Sequence, residues 1–266
     1  MRSKTIENIR RFYFTSAFAA VIALDAGFLI ENPAQAQSPR PAKACAASDA
    51  DCLLPELEGL TAKIVEIPWR DQTYRELAKL YMAKHRTKEA LALIPKIETP
   101  DTRAMTIRGI GMQAARMNLP PEELAALFAA LRVEADKIEH APSQGIALTY
   151  IAMAQAFAGD DAGAYATAKS MTNNALRHKA FGESAEIQAE RGDLHAALES
   201  LAAIDDASFR NKAHNTVSAI FADRKMYDEA LATADKIDND YQKSQAILHI
   251  LAKQITPDEI MSGIRE

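Results

Sequence analysis

The chain has 266 residues, with 31 Lys and Arg against 36 Asp and Glu, which gives a net charge of −5. A mildly acidic chain lacks the positive surface that nucleic-acid binding needs, so no nucleic-acid partner is expected. Apolar residues make up 48% of the chain and glycine occupies only 10 positions. This composition favours a soluble protein built from helices rather than sheets.

Residues 1–36 have the pattern of a secretory signal peptide. A basic head precedes an apolar run, and an A-x-A site ends at Ala36, which predicts cleavage before Gln37. The alternative is an uncleaved inner-membrane anchor formed by residues 12–30, a run about long enough to span a bilayer. Asp25 lies inside that run, and an acid at bilayer depth disfavours insertion. The sequence therefore predicts a periplasmic or secreted protein, with the anchored form as the alternative.

Residues 37–52 are predicted to be a flexible linker, because Pro, Ala and Ser dominate their first part and no apolar period runs through it. The chain's only two cysteines, Cys45 and Cys52, lie at the end of this segment. In an oxidising compartment we expect them to form a structural disulfide. A redox pair or a metal site is the alternative, but C-x6-C is not the C-x-x-C redox spacing and two thiols alone are a poor zinc site.

Residues 53–266 are predicted to be a helical-repeat domain. One constant shift along the chain superimposes Ala164 on Ala197 and then Ala197 on Ala230, and it also superimposes the apolar residues that follow each alanine by seven positions. An earlier unit, which ends at Ile97, is out of phase by eight residues, and the Pro120-Pro121 pair marks the place of the insertion.

Each unit has two apolar faces separated by a short polar break, which is typical of two short antiparallel helices. Neither helix can bury its apolar face alone, so neighbouring pairs must stack. The predicted fold class is therefore all-α, an α-solenoid of antiparallel helix pairs.

The stretch "LAKLYMAKHRTKEALALIPKI" resembles a tetratricopeptide repeat. Ala78 and Tyr81 match the small and aromatic positions of that family's first helix, and Ala90 matches the small position of its second helix. Later units depart from the motif, since Gln155 and Gln188 replace the aromatic residue and the 33-residue period is one residue shorter than the family's.

The resemblance implies a superhelix whose concave surface is lined by the first helix of each pair and binds a peptide or protein. Transferred position by position, it implies the following partner-binding residues: Gln72, Arg75, Lys79, Met82, Thr149, Met153, Lys179, Glu186, Lys212, Asn215 and Asp223.

A loop with Asp or Asn and then a cation recurs between units, and Arg177, Arg210 and Lys243 are its cations. The Asp and Asn side chains suit helix N-caps. The cations permit two interpretations: a row that holds an acidic partner, or side chains that tie neighbouring loops together.

Other motifs give no support for catalysis. Gly109, Gly111 and Ala114 fit a G-x-G-x-x-A dinucleotide pattern, but the residues before them indicate a helix, whereas that motif needs a strand. The six histidines lack metal-ligand spacing, and no nucleophile motif is present. We therefore predict no enzymatic activity, no cofactor and no metal.

The sequence thus predicts an exported, non-enzymatic scaffold that binds a protein or peptide partner in the bacterial cell envelope. Two alternatives remain open. One is a structural assembly unit that associates with itself through the C-terminal repeat, and the other is an accessory helical domain of an envelope enzyme.

Overall fold

The computed structural model describes residues 45–256. The predicted signal peptide, the alternative membrane anchor and residues 37–44 of the predicted linker lie outside these residues. The chain divides into two compact units, Met1–Asp49 and Ala50–Glu266. In the described part of the first unit, the backbone N–H of Asp49 donates to the carbonyl of Ala46 (2.9 Å). Cys45 and Cys52 are both disulfide-bonded.

Residues 50–256, the described part of the second unit, contain twelve α-helices, and no strand occurs within residues 45–256. The helices are α1 (Ala50–Thr61), α2 (Ile67–Ala83), α3 (Thr87–Leu93), α4 (Pro100–Ala114), α5 (Pro121–Asp136), α6 (Ala141–Ala158), α7 (Asp161–Lys169), α8 (Asn174–Arg191), α9 (Leu194–Ala202), α10 (Ala207–Asp223), α11 (Tyr227–Ala234) and α12 (Asp240–Ile255). A short 3₁₀ helix, Ile94–Lys96, follows α3. The all-α prediction is confirmed, and α1 begins at Ala50, so it includes the last three residues of the predicted linker.

Long and short helices alternate from α2 onward. The six long helices are α2, α4, α6, α8, α10 and α12, and each packs against the next long helix in the chain. The short helices α3, α7, α9 and α11 have seven to nine residues, and each packs against the long helix that precedes it. Helix α5 occupies the position of a short helix but has 16 residues, so the inserted residues lengthen this helix.

The turn between each long helix and its short partner contains a residue with positive φ. These residues are His85, Asn118, Gly159, Gly192 and Lys225. Only glycine adopts this conformation without a steric cost. Successive turns are one sequence period apart, except that the interval from Asn118 to Gly159 is longer by the length of the insertion. The spacing of the turns thus follows the period of the sequence.

Asp and Asn side chains cap five helices, and three of these caps, Asn173, Asp206 and Asn239, lie in the loop where the sequence predicted them. Each side-chain oxygen accepts the backbone N–H three residues later at 2.9–3.0 Å. The capping residues are Asp160, Asn173, Asp193, Asp206 and Asn239. Each cap satisfies one of the N–H groups that a helix start leaves without a partner.

The core lies between long and short helices, where small side chains allow close packing. The recurring alanines Ala90, Ala164, Ala197 and Ala230 are all buried. Gly111 lies inside α4, where an added Cβ would come within 3.2 Å of the Ala154 side chain on α6. The G-x-G-x-x-A pattern therefore serves helix packing, and its helical setting does not form a dinucleotide loop.

Gln155 on α6 and Gln188 on α8 each form a buried hydrogen bond with a side chain of the short helix that follows. Gln155 accepts from the Thr167 hydroxyl (2.7 Å) and donates to Asp160 (2.9 Å). Gln188 likewise accepts from the Ser200 hydroxyl (2.8 Å). The two glutamines thus connect the helices of a pair.

Candidate functional site

The predicted partner-binding residues lie on four long helices, α2, α6, α8 and α10. Gln72, Lys179, Lys212, Asn215 and Asp223 are exposed, and Arg75, Lys79 and Glu186 are partly exposed. Met82, Thr149 and Met153 are buried, so their prediction as surface residues is wrong.

The physical reason for the correction is packing. Met82 belongs to the core cluster. Helix α6 lies between α4 and α8 and also packs against α5 and α7. Little of its surface stays open, and the Thr149 hydroxyl donates to the carbonyl of Gly145 within the helix (2.9 Å). On α6 the partly exposed residue next to Thr149 is Tyr150.

The exposed part of the long helices carries a group of carboxylates, named here the acidic cluster: Glu183, Glu186 and Glu190 on α8, and Asp223 on α10. Burial and the charges of Glu183 and Glu190 raise the pKa of Glu186 to about 7. The charge of Lys212 on α10 acts in the opposite direction on this pKa. Glu186 therefore changes its charge near neutral pH.

The acidic cluster continues toward α12. Burial and the nearby carboxylate of Asp223 raise the pKa of Glu190, while Arg224 acts in the opposite direction at 3.7 Å. Asp223 has partners on α12, since His249 lies 3.2 Å and Lys253 2.9 Å from its carboxylate. Hydrogen bonds from these two partners lower the pKa of Asp223.

The long helices α2 and α4 carry partly exposed cations, named here the basic section: Arg75, Lys79 and Arg108. Arg75 pairs with Glu76 at 2.9 Å, and Lys79 also pairs with Glu76. The stem of Lys79 lies over Gly109 of α4, where an added Cβ would approach it to 2.8 Å. The Arg108 guanidinium lies over the ring of Tyr150 on α6, 4.9 Å from the ring centroid.

The cations of the recurring loop donate hydrogen bonds to oxygens of the loops between units. Arg177 donates to the carbonyl of Met171 (3.4 Å) in the loop before its helix and to Asp205 (2.8 Å) in the loop between α9 and α10. Arg210 makes the equivalent bonds to Ile204 (3.0 Å) and Asp238 (3.2 Å), and Arg103 donates to the carbonyl of Ile97 (2.6 Å). This geometry favours the interpretation that the row ties neighbouring loops together.

Sequence reasoning missed Glu183, Glu190 and Arg108, because it transferred only the positions of a family motif. The signal was available on α8, where Lys179, Glu183, Glu186 and Glu190 follow the three- and four-residue spacing of one helix face.

Within residues 45–256, no group of three His, Cys, Asp or Glu residues could hold a metal ion. Across the same described stretch, every helix is too short or too polar to cross a bilayer.

Comparisons with protein-family models, with curated proteins and with solved structures find no match to this chain.

Proposed function

We propose that this protein is a non-enzymatic scaffold of tetratricopeptide-like helix pairs, stacked into an α-solenoid, which binds a protein or peptide partner in the bacterial cell envelope. The observation that carries the proposal is the surface of the six long helices, with the basic section at one end and the acidic cluster at the other. Sequential packing of the long helices supports the solenoid, because each pair buries its apolar face against its neighbours. The location in the envelope rests on the pattern of residues 1–36 alone.

The charges define the chemistry of the partner. A segment with Lys or Arg residues complements the acidic cluster, and acidic residues further along the segment complement the basic section. Between the two lie Tyr150 and Phe157 of α6, which are partly exposed and offer apolar contact. A cation that approaches Glu186 stabilises its ionised form, so binding at pH 7 releases protons.

A second candidate function is self-association into a structural assembly, and one observation favours it. Helix α12 exposes Leu248 (56%), Leu251 (42%) and Ile255 (72%). Apolar side chains grouped on one helix are typical of a surface that another chain covers.

Site-specific photocrosslinking in the native host tests both candidates. We would place the crosslinking residue at Lys212 or Gln72 on the long helices, at Leu251 on α12, and at Ala162 or Asp228 on short helices as controls. The proposal predicts the same discrete protein from Lys212 and Gln72, and none from the controls. Adducts of the chain with itself, from Leu251 alone, would favour the assembly unit. The same adducts from long and short helices would contradict the binding surface.

A charge-reversal variant tests whether the partner recognises the charge of the acidic cluster or only lies close to Lys212. Replacement of Glu183 and Glu190 by Lys reverses the sign of the acidic cluster, and the crosslink from Lys212 should then be lost. The matched control reverses Glu122 and Glu139, which are exposed and lie outside this surface. Loss of the crosslink in the control, or its persistence in the cluster variant, would contradict the proposed chemistry.

A further inference from the structure

A pocket lies between α9, α10 and the end of α11, apart from the acidic cluster and the basic section. Its volume is about 750 Å³, and it opens to solvent. Its lining combines an apolar wall with polar and charged side chains: His195, Leu198, Glu199, Ala202, Arg210, His214 and Lys236.

The pocket exists because side chains are smaller here than at the equivalent place one sequence period earlier. A shift by one sequence period places Leu198 on Tyr165 and His214 on Phe181. At that earlier place, between α7 and α8, the two aromatic rings pack together with centroids 5.2 Å apart. Replacement of Tyr by Leu and of Phe by His removes this aromatic pair, so side chains fill the space less completely.

His214 lines this pocket and carries a buried polar atom that has no partner in the described part of the chain. Its side chain is only 4% exposed, and its Nδ1 has no hydrogen-bond partner within the described residues. A buried polar atom without a partner is costly, at about 1–3 kcal/mol, unless another molecule satisfies it. The equivalent Phe181 has no polar atom to satisfy.

The charges around His214 favour an anion. Arg210 and Lys236 both line the pocket, whereas Glu199 is the only carboxylate among the lining residues. Burial, together with the charge of Arg210, lowers the pKa of His214 to about 4; the carboxylate of Asp238 opposes this shift, and Lys236 adds to it. The imidazole is therefore neutral at pH 7 and can donate one N–H.

We propose that this pocket binds a small carboxylate with an apolar tail. The carboxylate accepts hydrogen bonds from Arg210 and from the imidazole of His214, and Lys236 adds positive charge. A carboxylate fits the planar guanidinium, and a single negative charge suits a cation that already shares Asp238 at 3.2 Å. The tail lies against Leu198 and Ala202, which are one helical turn apart on α9. This binding does not depend on the partner-binding proposal.

The test uses hexanoate as the probe, with hexylamine and inorganic phosphate as comparison probes, at pH 7. The imidazole resonance of His214 is followed by NMR on the full-length protein. We expect saturable shifts with hexanoate and none with hexylamine or phosphate. Saturation by phosphate without hexanoate, or no saturable shift with any probe, would overturn the proposal.

Three variants sharpen the test, with binding measured by calorimetry. His214→Phe combined with Leu198→Tyr rebuilds the aromatic pair of the preceding unit, and it should weaken hexanoate binding at least tenfold in a protein that still folds. Arg210→Gln should have a similar effect. Arg177→Gln, at the equivalent position beside the filled space, should leave the affinity unchanged. Equal affinity in the aromatic variant, or a tenfold loss in Arg177→Gln, would also overturn the assignment.

Discussion

At the residue scale, Glu186 combines burial and like charges in one carboxyl group. Its pKa is about 7 in the folded chain, against the ordinary value of 4.5. Between these values the folded state binds more protons than the unfolded state, so the contribution of Glu186 to stability falls as pH rises from about 4.5 to 7. The ionised form is thus held in the fold at a cost, which a cationic partner would relieve.

Glu186→Gln removes this titration. We expect the variant to gain stability relative to the wild-type protein as pH rises from 5 to 8, because the neutral amide carries no charge in either state. Urea unfolding at several pH values measures the effect. Glu139→Gln, at an exposed position in a loop, serves as the control and should show no such trend. A stability difference for Glu186→Gln that stays constant with pH would show that the cluster does not perturb this group.

Ala230 is the second residue whose role can be tested. It is fully buried between α10 and α11, while Ala162 of α7 is exposed. Ala230→Trp overpacks the helix pair and should destabilise it by about 1–3 kcal/mol or more. Ala162→Trp should change stability by less than about 0.5 kcal/mol. Equal melting temperatures for the two variants would contradict the alignment of the repeated units.

At the scale of elements, single side chains connect consecutive loops. Arg177 lies near the start of α8 and bonds to a carbonyl before the helix and a carboxylate after it. Arg177→Ala should lower the free energy of unfolding by about 1 kcal/mol, since two hydrogen bonds are lost at a partly exposed site. Urea unfolding of Arg177→Ala beside Lys179→Ala tests this, because Lys179 is exposed on the same helix. If Lys179→Ala proves as damaging as Arg177→Ala, these bonds have no special role.

The elements also show what the sequence could predict. The helix pairs, the capping residues and the place of the insertion could be predicted from patterns in the sequence. The period of the alanines indicates the pairs, the Asp and Asn residues of the loops indicate the caps, and the position of the prolines indicates the insertion. Which side of a helix is open depends on its neighbours. One residue rotates a helix position by about 100°, so a small error of register moves a residue such as Met153 from the surface to the core.

The pocket beside His214 was missed for a different reason. The Nδ1 atom of His214 lacks a partner within residues 45–256 because of how the surrounding side chains pack, and no sequence pattern predicts that packing. A partial signal was present, because the repeat shift pairs Phe181 with His214 and Tyr165 with Leu198. Replacement of Tyr by Leu and of Phe by the smaller His at facing positions of two consecutive helices indicates a space that side chains do not fill.

At the scale of the whole molecule, the long helices of residues 67–255 pack in chain order, and the main contacts of each are with its neighbours along the sequence. Such an arrangement limits how far a local disturbance spreads, because stability is approximately a sum over units and their shared interfaces. A globular helical protein with a single shared core would instead lose its structure as one cooperative unit. The proposed solenoid and its extended binding surface both depend on this difference.

Hydrogen exchange followed by mass spectrometry in Ala230→Trp tests this central claim most directly, with Ala162→Trp and the wild-type protein as references. The proposed array predicts that residues 207–255 lose protection in Ala230→Trp, while residues 67–158 keep the protection of the wild-type protein. Ala162→Trp should match the wild-type protein throughout. A uniform loss of protection across residues 67–255 in Ala230→Trp would contradict the array.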